Sequence, residues 1–168
     1  DRGKRTVTMT TDLTAEDLTQ LRFFRGESPD VLEWLLDACQ RRTLKPEDIL
    51  LEPGQSNHLM YVILSGSLQV RLERESNVIS VLTQGESAGE MSVLDSAHTS
   101  AWVIAESVVE LMELDARHVW SLITHSHIVA VNLLSILSNR VRSDNRVIDK
   151  SQQLKNFYEY HAKVDALT

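Results

Sequence analysis

Residues 81–105 read VLTQGESAGEMSVLDSAHTSAWVIA. A Gly-Glu pair at 89–90 opens a short helical run, a polar turn follows, and the apolar stretch that closes the segment has the look of a strand. The first turn of a helix leaves backbone N–H groups unpaired, which suits an anion. A phosphate there also wants a cation. The turn offers His98 and Thr99, and neither Lys nor Arg occurs before the strand resumes.

On both sides of this segment the hydrophobic pattern has a period of two. DILLEPGQ, HLMYVILSG, SLQVRLER, NVISVLTQG, SAWVIAE and VVELMELD are short runs rich in Val, Ile and Leu. Pro-Gly, Ser-Gly, Glu-Ser-Asn and Gln-Gly breaks separate them. Together they predict a mainly β fold with helices, an antiparallel jelly-roll or β-roll barrel over about residues 43–115. Before it, TAEDLTQLRFF (14–24) and SPDVLEWLLDACQRR (28–42) read as two short helices. Thr14 and Ser28 stand at N-cap positions, Pro29 sits in a first turn, and Val31, Leu32, Trp34, Leu35 and Leu36 form the apolar face. Residues 1–13 are polar and unpatterned and read as a flexible lead-in.

After Asp115 the period returns to that of a helix, first in ARHVWSLITHS and then in a run from about Ser126 to Leu167 with neither Gly nor Pro. A helix of roughly 35 residues is about 50 Å long, more than one small barrel can cover. Leu134, Leu137, Val141 and Ile148 lie on one stripe, continued by Val147, Leu154, Phe157 and Tyr158. The stripe predicts a seam against a second copy of the same helix, with packing on its own barrel as the alternative. The expected organisation is a lead-in over 1–13, a roll with flanking helices over 14–125, and a dimerisation helix over 126–168.

A formal charge of −7 argues against direct nucleic-acid binding by this chain, because neutralising phosphates supplies most such affinity. No run of 18 apolar residues and no signal peptide occurs, which predicts a cytoplasmic protein without a membrane partner. The single cysteine, Cys39, reads as an inert core residue. His125 and His127 are two apart, so on a helix they point about 200° from each other and do not chelate one ion. With no HExxH, no cysteine pairs and no nucleophile, base and orienter set, we expect neither a metal nor catalysis; a cupin-like metalloenzyme is the remote alternative.

The order of helices, roll, Gly-Glu helix and long helix, with YVILSGSLQV, VLTQGESAGEMSVL and TSAWVIA, resembles the cyclic-nucleotide-binding domain family over roughly residues 15–147. The resemblance implies that Gly89 and Glu90 belong to a phosphate-binding cassette. By position, Gly89 allows close backbone approach and Glu90 accepts from the ribose 2′-hydroxyl, while Met91, Ser92 and Val93 supply helix N–H groups. The family's phosphate-pairing Arg falls at Thr99, and a frequent Pro falls at His98. A charge-assisted bond contributes about 1.5–3 kcal/mol, so cAMP or cGMP should bind roughly tenfold to a hundredfold more weakly, or not at all. His98 when protonated, Ser92 and Ser100 remain as weaker phosphate partners. Asp144 and Asn145 match the long-helix positions that reach the base in some members, with a register-setting break in the seam as the other reading.

The chain ends in YHAKVDALT. DALT after a long helix resembles the entry to diguanylate cyclase (GGDEF) domains, which implies a covalently linked output domain beyond residue 168. The alternative is the effector half of a cyclic-nucleotide-dependent transcription factor of the catabolite activator type, whose helix-turn-helix needs further residues.

Overall fold

The computed structural model describes residues 13–96 and 98–142. Asp144, Asn145, Ile148, Leu154 and the DALT segment lie outside the described residues. The chain separates into two compact units, Asp1–Asn132 and Leu133–Thr168.

In the first unit two four-stranded antiparallel sheets form the roll. Sheet one runs in the order β1 (Gln40–Leu44), β8 (Val109–Asp115), β3 (Leu59–Ser65), β6 (Ser87–Ala88). Sheet two runs β2 (Ile49–Leu51), β7 (Trp102–Ala105), β4 (Leu68–Arg71), β5 (Ser80–Leu82). The jelly-roll expectation holds. Leu44, Leu51, Ile63, Leu68, Leu82, Val103 and Leu111 belong to one buried cluster. Each such side chain contributes about 1.5–3 kcal/mol by leaving water. Met60, Val62, Leu64, Met112 and Leu114 alternate with the cluster residues and are fully buried too. The helix α4 (Ala116–His125) lies against β3 and β8, so both faces of these strands are covered. That is why LMYVILS reads as a continuous apolar run.

Two helix boundaries differ from the sequence reading. Residues 14–24 form one turn of helix, α1 (Ala15–Leu18), and then a 3-10 turn over Arg22–Phe24. Thr14 and Asp17 cap α1 reciprocally, at 3.2 and 3.0 Å. Leu18, Leu21, Phe23 and Phe24 are all buried, more than one helical face can hide, and the tighter turn accommodates the adjacent Phe rings edge to face at 4.9 Å. The second helix, α2 (Pro29–Ala38), stops at Cys39, and Gln40-Arg41-Arg42 begin β1 instead of extending it. Pairing with β8 overrides helix propensity here: Gln40 faces Glu113 in register, the Arg42 guanidinium lies 3.5 Å from the Glu113 carboxylate, and the Thr43 hydroxyl donates to Glu110 at 2.9 Å. Ser28 occupies the N-cap position of α2 without a side-chain capping bond. Cys39 is half-buried, not a core residue, and burial pushes its thiol pKa up.

A short helix, α3 (Glu90–Asp95), interrupts the strands, and α5 (His127–Arg142) follows Ser126. Among the described residues no single helix is long and apolar enough to cross a membrane.

Candidate functional site

The strand β6 places the Gly-Glu segment. Ala88 pairs with Tyr61 and Ser87 with Val62 on β3, so the chain enters α3 directly from the edge of sheet one. Gly89 then turns it with φ +86°, in the left-handed region. A Cβ at this position would lie 2.6 Å from the Leu59 carbonyl oxygen and 2.9 Å from Asn57 Nδ2, so glycine is required by conformation and by space.

The Glu90 side chain is fully buried, and the Ser87 hydroxyl donates to its Oε1 at 3.3 Å. Ser92 is buried beside it in the sequence, while Met91 presents half of its surface to solvent. Of the residues assigned to backbone donation, Val93 bonds back to the Gly89 carbonyl at 3.2 Å, within the helix. Its N–H is thereby committed.

The far end of the segment is tied to a different part of the roll. Thr99 N–H donates to the Gln55 carbonyl at 3.1 Å, and Gly54 N–H donates to the Thr99 carbonyl at 2.8 Å. The Thr99 hydroxyl donates to the Glu52 carbonyl oxygen. A neutral side chain satisfied by backbone carbonyls therefore occupies the position where the family resemblance implies a cation. His98 and Ser100 are exposed. From Glu75 to Ala116 the sequence contains no Lys or Arg and eight Asp or Glu residues.

Two partners escaped the sequence reading. Asn57, 6% exposed, donates from Nδ2 to the Leu59 carbonyl at 2.7 Å and accepts the Leu59 N–H at 3.3 Å. It thereby fixes the strand entry against which Gly89 packs. Ser87 was the other. The Asn in SNHL is a turn signal, but nothing local links it to Gly89, 32 positions away.

Residues 41–126 match the family described as "Cyclic nucleotide-binding domain", which is half of the chain. The chain belongs to the cyclic nucleotide-binding domain family. The cyclic AMP receptor protein of Thermus thermophilus is 29% identical over 129 residues, covering 75% of this chain and 60% of that protein. The cAMP-activated global transcriptional regulator CRP of Salmonella typhimurium is 26% identical over 122 residues, or 70% of this chain and 58% of that one. The chain thus spans about 60% of the length of these curated relatives. Two solved structures share the fold, both regulatory subunits of a cAMP-independent protein kinase A. The one from Trypanosoma cruzi, bound to guanosine, has a TM-score of 0.60 at 22% identity, covering 76% of this chain and 44% of that chain. The one from Trypanosoma brucei has a TM-score of 0.61 at 24% identity, covering 80% and 47%. It is a triple mutant with a threonine-to-arginine replacement, bound to cAMP.

Members of this cyclic nucleotide-binding family are regulatory, and no catalytic family is indicated for the domain. Among the described residues no group of three His, Cys, Asp or Glu side chains could hold a metal ion. His125 ends α4 with Nδ1 2.9 Å from the Ser121 carbonyl oxygen, and His127 starts α5 on the other side of Ser126.

Proposed function

We propose that this chain is the sensory domain of a larger regulatory protein, and that its pocket takes a ribose-bearing ligand without relying on a phosphate-binding cation. The observation that carries the reading is a buried Glu90 together with a backbone-bonded Thr99, the latter at the position where the family resemblance implies an Arg. A carboxylate accepts hydrogen bonds from ribose hydroxyls whatever the charge elsewhere on the ligand. A phosphate that leaves water without a counter-charge is not repaid for its desolvation. An uncharged nucleoside avoids that cost, and cAMP and cGMP bind weakly or not at all. The trypanosomal relatives support this choice: one holds guanosine, and the other is seen with cAMP as a variant with glutamate-to-alanine, threonine-to-arginine and valine-to-alanine replacements. The test is equilibrium titration of the unmodified chain and of Glu90→Gln with guanosine, adenosine, cAMP and cGMP. A nucleoside should bind more tightly than either cyclic nucleotide, and Glu90→Gln should weaken all four ligands. Tight, Glu90-dependent cAMP binding would overturn the reading and make His98 and Ser100 the first suspects as replacement partners.

The ligand state is passed, in our reading, along α5 to a covalently linked output domain, with a parallel homodimer of that helix as the control rod. Leu134 and Val141, seven residues apart, are 66% and 50% exposed, and Leu137 between them is partly exposed, which supports a seam against a second copy. The output we infer is a diguanylate cyclase, on the strength of DALT at 165–168. A transcriptional output is the second reading, favoured by the Salmonella relative. In that case the attached domain makes the DNA contacts, since this chain carries a net charge of −7. The coding sequence beyond Thr168 separates the two: Gly-Leu-x-Asn-Arg and a distant GGDEF mean cyclase, and a basic helix-turn-helix means transcription factor. The protein belongs in the cytoplasm on either reading.

A further inference from the structure

Sheet two carries a line of charge on the face turned away from sheet one. Leu51, Leu68, Leu82 and Val103 belong to the buried cluster, so by alternation Gln69, Arg71, Val81, Trp102 and Ile104 point outward. Register sets Ile49 beside Ile104, Ile104 beside Gln69 and Gln69 beside Val81, one row across all four strands. Val81 is 43% exposed, and Ile49 and Gln69 are half-buried. To one side of this row stands an acid. Glu106, exposed, accepts from the Ser67 hydroxyl at 2.7 Å and from Gln69 Nε2 at 3.1 Å, and these bonds hold its carboxyl below the usual pKa. To the other side Arg71 faces Trp102 in register, and the Arg74 guanidinium lies 5.7 Å from the centre of the Trp102 ring. Arg71 donates to Gln69 Oε1 at 3.2 Å and to the Arg74 carbonyl at 2.9 Å. Among the described residues neither guanidinium is paired with a carboxylate. Of helices α1 to α4, α3 and α4 pack on strands of sheet one and none packs comparably on sheet two.

We propose that this face is a lateral contact between two copies of the chain, related by a twofold axis that runs across the strands along the row of Ile49, Ile104, Gln69 and Val81. Such an axis lays the row against itself and reverses the strand direction, so Glu106 of each copy meets the Arg71, Arg74 and Trp102 end of the other. An axis along the strands would set like charge on like. Charge complementarity therefore selects a second copy as the occupant, because acid and base stand at equal steps on either side of an apolar row. The face is small. Four strands about 4.8 Å apart, with three outward positions on each, give an area on the order of 200–300 Å² per copy. That is well below the ~800 Å² per partner of a standard interface, so the contact forms at high local concentration and weakens with salt. It depends neither on the α5 seam nor on the ligand reading.

The test uses the chain with Leu134→Asp and Val141→Asp, so that α5 contributes nothing to association. Between tens of micromolar and about a millimolar its mass in sedimentation equilibrium should rise from monomer towards dimer, and less so in high salt. Over the same range the NMR amide signals of Gln69, Arg71, Val81, Trp102 and Glu106 should shift. Glu106→Arg alone, and Arg71→Glu with Arg74→Glu alone, should each stay monomeric throughout. An equimolar mixture of these two variants should associate again, because each supplies the charge that the other now needs. A purely structural role of these side chains within one copy would not give that recovery. A chain that stays monomeric at about a millimolar overturns the proposal, as do concentration-dependent shifts confined to other faces or a mixture that fails to associate.

Discussion

Gly89 shows how one residue answers two demands. Its φ of +86° is expensive for any side chain, and a Cβ would meet the Leu59 carbonyl oxygen at 2.6 Å. Gly89→Ala should therefore lower stability by about 1–3 kcal/mol, read from thermal or urea unfolding. Asp115 is a second case. It caps α4 by accepting N–H bonds from Arg117 at 2.7 Å and His118 at 3.4 Å. The hydrogen bond from the Arg117 side chain, and then these backbone bonds, hold its carboxyl below the usual pKa. A depressed folded-state pKa stabilises the fold above the unfolded-state value, and that stability is lost as pH falls through the folded-state value. Asp115→Ala should cost about 0.5–2 kcal/mol at neutral pH, and Asp115→Asn should keep the cap while flattening the acid limb of the stability profile. Gly89 and Glu90 were legible because a Gly-Glu pair before a short helix carries its meaning locally. Asn57 and Ser87 were not, because their roles come from strand pairing that brings 57–61 beside 87–89.

At the scale of elements, the strands of the roll were readable from period-two runs, and the helix ends were not. Gln40, Arg41 and Arg42 have ordinary helix propensity, and only the partner strand β8 decides that they extend. The aromatic pair Phe23 and Phe24 likewise breaks a run that looks helical in one dimension. The helix α5 was legible as a helix, but the bonds from Ser126 to Glu27 and from Asn132 to Phe23 and Arg25 join residues about a hundred positions apart, where no sequence pattern points. The exposure of Leu134 and Val141 carries its own prediction. Sedimentation of the chain at tens of micromolar should give a dimer, and Leu134→Asp with Val141→Asp should give a monomer. A monomeric unmodified chain would remove the physical basis for a helical control rod.

For the molecule as a whole, family membership and ligand chemistry separate. The roll and its flanking helices are those of a cyclic nucleotide-binding domain. Between Glu75 and Ala116, however, the chain carries eight Asp or Glu residues and no Lys or Arg, and Thr99, which we propose stands at the position of the family's phosphate-pairing Arg, is bonded to the Glu52 carbonyl. The central claim is that this single missing charge disconnects the domain from cyclic nucleotides while the carboxylate anchor remains. Calorimetric titration of cAMP into the unmodified chain and into Thr99→Arg tests it most directly. The account predicts weak or undetectable binding to the unmodified chain, and binding tightened by about 1.5–3 kcal/mol, roughly tenfold to a hundredfold, in Thr99→Arg. Equal affinity in the two forms, with tight binding by the unmodified chain, would contradict it.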